Sequence, residues 1–234
     1  MPETAPASPD APLALAFAAN PRVAALAPLA KIDAEIAAST RADLDHAVGH
    51  ARLEWWRGEI GRLAAGSPRH PLCVELLKLG GEAPDYGLLL ERVTAAELAL
   101  VGYAPHGQVE LLAYIGRSHG ARETLAAQLL AAGRSESLAT YGARLGRGFG
   151  LLEALVAGDD ALLGELPREQ LLTRARLALA SAPAALALPE RAAQAHGLVR
   201  AALALARLDR SGAAPGSLRL LWLAWRTARR AQRE

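Results

Sequence analysis

Apolar side chains recur along most of this chain at intervals of three and four residues. The clearest case is Leu53, Trp56, Ile60 and Leu63, which share one helical face while Arg52, Glu59 and Arg62 fall mostly elsewhere. The same period, punctuated by proline, glycine and capping residues, predicts a succession of helices. A short element covers residues 13–19. Helices follow over about residues 22–39 and 43–65, with Asp43 or Asp45 capping the second. Gly66-Ser67-Pro68 ends it, and Pro71 stands in the first turn of a helix that reaches Leu79. Beyond Gly80-Gly81 and Pro84 the pattern gives helices over residues 86–100, 108–132 and 135–157, the last closed by Gly158. Leu166-Pro167 opens another, Pro189 starts one that runs to Leu208, and Ser217 caps the last. No stretch alternates with the period of a strand and no segment repeats, so the prediction is an all-α fold.

Composition agrees, being dominated by Ala, Leu, Arg and Glu and poor in β-branched residues. A chain of 234 residues can bury a sizeable core as one large or two small domains. No linker is long enough to demand a second domain. Residues 1–12, rich in Pro, Ala and Ser, read as a disordered leader, and residues 13–234 as one helical domain. The apolar run over residues 13–19 lacks the basic segment of a signal peptide, with Glu3 and Asp10 in its place. No segment reaches the roughly 18 uninterrupted apolar residues of a membrane span. A formal net charge of +2 gives no case for nucleic acid. The one cysteine, Cys73, excludes an internal disulfide and fits a reducing compartment. The expected location is cytoplasmic.

The string Arg52-Leu53-Glu54-Trp55-Trp56-Arg57 carries more information than its periodicity. It resembles the Arg-Leu-x-Trp-Trp-Arg helix of the squalene and phytoene synthase family, particularly its short bacterial members and its complex I assembly-factor relatives. The likeness extends through the chain after the leader. Residues 15–38 look like the family's first helix, and His70-Pro71-Leu72 is similar to the start of the helix after the tryptophans. Residues 88–100 look like the helix that precedes the cavity-lining pair. Tyr114, Ser118-His119-Gly120 and Leu125-Ala126-Ala127 resemble its Tyr-x-x-x-Ala-Gly helix. Residues 146–167, ending in Leu166-Pro167, resemble the stretch that carries the second aspartate-rich motif. The resemblance implies a single-domain helical bundle of the isoprenoid-synthase type, with Arg52, Tyr114 and His119 lining a substrate cavity.

Family enzymes join two prenyl diphosphates head to head, using magnesium held by facing pairs of aspartates at i and i+4. This chain departs from that pattern. Asp33 matches the first aspartate, but Ala37 stands at i+4, and Glu35 lies roughly 200° around the helix from Asp33. At the second motif Asp160 matches one aspartate and Val156 replaces the other. Ala99 replaces a mid-chain aspartate, and Gly164-Glu165 stands where arginine and glycine usually precede Leu-Pro. Asp33 and Asp160 either face each other across a cavity or are helix-terminal and surface aspartates. The resemblance therefore implies a degenerate member, a non-catalytic prenyl- or lipid-binding or assembly protein with no cofactor and with a prenyl diphosphate, a lipid or a client protein as partner. The alternative is an active prenyl diphosphate transferase holding Mg2+ through Asp33 and Asp160.

Other groups add less. His46 and His50 are spaced at i and i+4 without a third ligand, and read as an exposed pair. His119 reads as a satisfied core or cavity residue. Gly142, Gly146, Gly148 and Gly150 follow no strand, so close helix packing accounts for them better than a phosphate loop. The last helix sets Leu218, Leu221, Trp222 and Trp225 on one face and Arg219, Arg226, Arg230 and Arg233 in an opposing stripe. It is expected either to bury its tryptophans against the bundle or to lie at a membrane surface, which would make the protein peripheral there.

Overall fold

A computed structural model of the chain describes residues 14, 16, 17, 20–208 and 217–233, the side chains of Pro189 and Ser217 excepted. The leader over residues 1–12, most of the element over residues 13–19 and the cap expected of Ser217 lie outside the described residues. Within them the secondary structure is helical, with no strand. The first half comprises α1 (Leu26–Ala37), α2 (His46–Ala64), α3 (Pro71–Gly80) and α4 (Leu88–Leu100). Next come α5 (Gln108–Ile115) and α6 (Ala121–Ala131), joined through one wide π-helical segment, Gly116–Gly120. Then follow α7 (Glu136–Ala157), the single turn α8 (Asp160–Leu163), α9 (Arg168–Ser181), the short α10 (Leu188–Arg191), α11 (Ala195–Leu208) and α12 (Ser217–Arg233).

Local signals set most boundaries. Asp45 accepts from the backbone N–H groups of Ala47 and Val48 at 2.8 and 3.3 Å and so starts α2. Asp43, the other candidate cap, pairs with Arg41 instead. Ser135 accepts from Leu138 N to start α7, and Gly158 ends it at φ 64°. α3 begins without a cap of its own, because the His70 side chain makes no capping bond. The backbone leading into it is held from α2 instead: Glu59 accepts from the N–H groups of Arg69 and of the N-cap residue His70, both at 2.7 Å, and also from Arg62. Glu59 is fully buried in this role, which corrects the expectation that it sits off the buried face of its helix.

Two expected helices are interrupted. The run over residues 108–132 holds as a helix but widens at Gly116–Gly120, where Ser118 Oγ donates to the Tyr114 carbonyl at 3.0 Å. The expected helix from Pro189 to Leu208 breaks between α10 and α11. The break lets Gln194, almost fully buried, donate to the Ala127 carbonyl at 2.8 Å, and leaves the Ala193 carbonyl to accept from Asn20 at 3.3 Å.

The core has two main parts with α6 between them. Leu53, Trp56, Ile60 and Leu63 of α2 pack with Ile32 and Ile36 of α1, Leu76 of α3, and Leu89 and Val93 of α4. Leu125 and Leu129 of α6 complete that cluster, while Ala127 joins Leu138, Tyr141 and Leu145 of α7, Leu179 of α9 and Leu198 of α11 on the other side. A helix enclosed on all sides must pair every polar group it carries, and the charged residues Arg122 and Glu123 of α6 are both paired. The glycines of α7 allow this enclosure. A Cβ built on Gly142 would stand 2.3 Å from Thr124 Cα, and one on Gly146 would stand 2.4 Å from Gly120 Cα. Close helix packing is thus their role, as expected.

Candidate functional site

A chain of ion pairs crosses the middle of the bundle. Asp33 on α1 accepts from Arg92 Nε of α4 at 2.6 Å through Oδ1, and from Arg122 Nη1 of α6 at 3.1 Å through Oδ2. Arg122 also reaches Glu123 at 2.9 Å. Glu123 is clasped by Arg200 of α11 through both carboxylate oxygens, at 2.9 and 3.2 Å. The Arg200 guanidinium carbon lies 4.3 Å from the centre of the Phe149 ring. Three guanidiniums against two carboxylates leave one positive charge in the series.

Burial alone raises both carboxyls, and the arginines outweigh it. Asp33 falls below its ordinary value through Arg92 and Arg122, and Glu123 is held at about 2 by Arg200 and Arg122. Burial lowers the Arg122 guanidinium, but Glu123 and Asp33 more than reverse that. The Tyr141 phenol is fully buried next to this charge, its hydroxyl unpartnered, and burial and Glu123 push it upward.

The structure separates the two aspartates that the resemblance singles out. Asp33 has 15% of its side chain exposed and Asp160 has 85%. Asp160 opens α8 and pairs with Arg168 at 2.9 Å in solvent, while Asp159 caps α8 by accepting from Leu162 N. Val156 is 88% exposed, so its position does not face the interior, and Ala99 is exposed as well. Glu153, one turn before Val156, has 67% of its side chain exposed but lies within electrostatic reach of Asp33 and Arg122. His119 Nε2 stands 3.2 Å from Glu153 Oε2, and its Nδ1 stands 3.0 Å from Ser118 Oγ. Both ring nitrogens of His119 thus lie within hydrogen-bonding distance of a partner. Its hydrogen bond lowers the Glu153 carboxyl against the opposing effect of burial. Tyr114 stacks on Tyr103 with ring centres 6.1 Å apart, and its phenol, raised mainly by burial, also feels Arg92.

Arg52 does not join Tyr114 and His119. It borders a shallow outer cleft of about 290 Å³ with Glu35, Ala51, Trp55, Trp56 and His70, and pairs with Glu35 at 3.2 Å. Trp56 is buried, Trp55 is half exposed, and both meet the His70 ring edge-on at 5.1–5.6 Å. His46 and His50 form the exposed pair expected of them, with Nε2 atoms 3.1 Å apart. Among the described residues no group of three or more His, Cys, Asp and Glu side chains could hold a metal ion. Burial pushes the Cys73 thiol up to about 12, which makes it a poor nucleophile.

On α12 the docked face is Leu220, Ala224, Ala228 and Ala231, and not the tryptophans. Trp222 is 52% exposed and Trp225 47%, with Leu218 and Leu221 beside them. Arg226 lies over Trp222 at 5.0 Å and Arg229 over Trp225 at 5.5 Å. The arginines therefore flank the aromatic ridge, which corrects the expected opposition of the two stripes. Among the described residues no helix is long and apolar enough to cross a membrane.

Sequence reasoning missed Arg92, Arg122, Glu123, Glu153 and Arg200. One signal was available: Arg122-Glu123 is a charged pair inside a run of Leu, Ala and Gly that reads as interior helix. Comparison with known proteins gives no match, whether to family models, to curated proteins or to solved structures.

Proposed function

We propose that the chain is a degenerate protein of the squalene/phytoene synthase type, working as a non-catalytic prenyl- or lipid-binding or assembly protein. The observation that carries this reading is the occupation of Asp33. Its Oδ1 and Oδ2 each accept from a guanidinium, so the charge that a magnesium ion would need is already neutralised. Head-to-head condensation needs metal to draw off the diphosphate, and Ala37 supplies no second carboxylate on α1. The arginines support binding without conversion, since planar guanidiniums suit the phosphate oxygens of a prenyl diphosphate or a lipid. A client protein is the partner in the assembly version of this reading.

A working magnesium-dependent prenyl diphosphate transferase is the second reading. Glu153 of α7 favours it, as a carboxylate electrostatically coupled to Asp33. An assay of diphosphate release from farnesyl and geranylgeranyl diphosphate, with and without magnesium, separates the two. The expected result is no magnesium-dependent release. Robust turnover that disappears in Asp33→Ala and Glu153→Ala would overturn the non-catalytic reading.

A further inference from the structure

We infer that α12 is an interfacial helix that seats the bundle on an anionic lipid surface. The helix carries Arg219, Arg226, Arg229, Arg230 and Arg233 and has no acidic residue from Ser217 to Arg233. At roughly 100° per residue, the ridge of Leu218, Trp222 and Trp225 stands about 130° around the helix from the docked line of Leu220, Ala224, Ala228 and Ala231, clear of the bundle. The arginines fill the sector beside the ridge. One side of the helix is therefore committed to the bundle through small residues. The other offers two half-exposed indoles, two leucines and a band of positive charge along about 25 Å.

Each part of that surface matches a layer of a membrane interface. Indole rings favour the headgroup level, where an apolar body and an N–H donor are both satisfied. Guanidiniums held over the outer ring faces meet phosphates at the same depth, and their stems cover apolar surface. The alanine side fixes the ridge outward, so the helix need not leave the bundle to reach lipid. A second copy of the chain fits less well. A two-fold contact through the ridge would bring two arginine bands together with no carboxylate on either helix. This inference is independent of whether the bundle is catalytic.

The test is co-sedimentation of the full chain with vesicles of phosphatidylcholine alone and with about one-third phosphatidylglycerol. Binding is expected only to the anionic vesicles, with a blue shift of tryptophan emission and release by high salt. Arg226→Gln with Arg229→Gln should weaken binding about thirtyfold, at the typical contribution of a basic residue near such a surface. Trp222→Ser with Trp225→Ser should abolish the blue shift attributable to α12. Circular dichroism confirms that both variants are folded. No binding to anionic vesicles, or unchanged binding by both variants, overturns the inference. Dimerisation in solution that the tryptophan variant abolishes would assign the ridge to a second copy and overturn it equally.

Discussion

Glu123 is a buried carboxylate clamped by two arginines, and His196 lies buried one turn from Arg200, one of the two. Burial and then the Arg200 charge push the His196 imidazole down to about 4, with Glu123 pulling the other way. The unfolded chain takes up a proton at this residue near 6.5, and the folded chain does so only near 4, so stability falls as pH drops through that window. Glu123 acts at lower pH. Its carboxyl is depressed from 4.5 to about 2, so its contribution is full above 4.5 and is lost as pH falls towards 2. The His196 limb corresponds to about 3 kcal/mol. Urea unfolding at a series of pH values should show both, and His196→Gln should flatten the upper limb while leaving the lower one. At neutral pH Glu123→Ala should cost about 3–5 kcal/mol, because it leaves Arg200 desolvated without its partner. A loss under 1 kcal/mol would mean that water replaces the carboxylate.

At the scale of elements, glycines in α2 and α7 make opposite predictions from the same residue type. Gly61 on α2 has nothing within 4 Å of a built Cβ, so Gly61→Ala should stabilise by up to about 1 kcal/mol through helix propensity. Gly146 on α7 faces Gly120 backbone that cannot yield, and Gly146→Ala should destabilise by about 1–3 kcal/mol despite the same propensity gain. Chemical denaturation of the two variants checks the sign of each. Helix starts and stops were legible in the sequence where the cause is local, as at Asp45, Pro71, Ser135 and Gly158. The wide segment at Gly116–Gly120 and the break before α11 were not, and each packs against residues far away in sequence: the glycine face of α7 for one, Asn20 and Ala127 for the other. The site divides in the same way. Asp33 could be picked out through the resemblance of its segment to an aspartate motif, but its partners come from α4 and α6, 59 and 89 residues away, and no spacing rule connects them.

For the whole molecule, the ion-pair series does what no single helix contact does. It ties α4 and α1 of the first half through α6 to α11 of the second. The hydrophobic clusters on the two sides of α6 are thereby joined by charge as well as by packing. The double clamp on Asp33 also sets how reversible this arrangement is. Replacing Ala37 with aspartate would recreate an i, i+4 carboxylate pair on α1, yet Arg92 and Arg122 would still occupy both oxygens of Asp33. Calorimetric titration of Ala37→Asp with magnesium should therefore register no binding. Adding Arg92→Ala should be required before any heat is seen, and at a cost in stability, since Asp33 then loses its 2.6 Å partner. Tight magnesium binding by Ala37→Asp alone would show the clamp to be loose. Otherwise the route back to metal runs through a less stable intermediate, and the clamp acts as a ratchet on the history of the site.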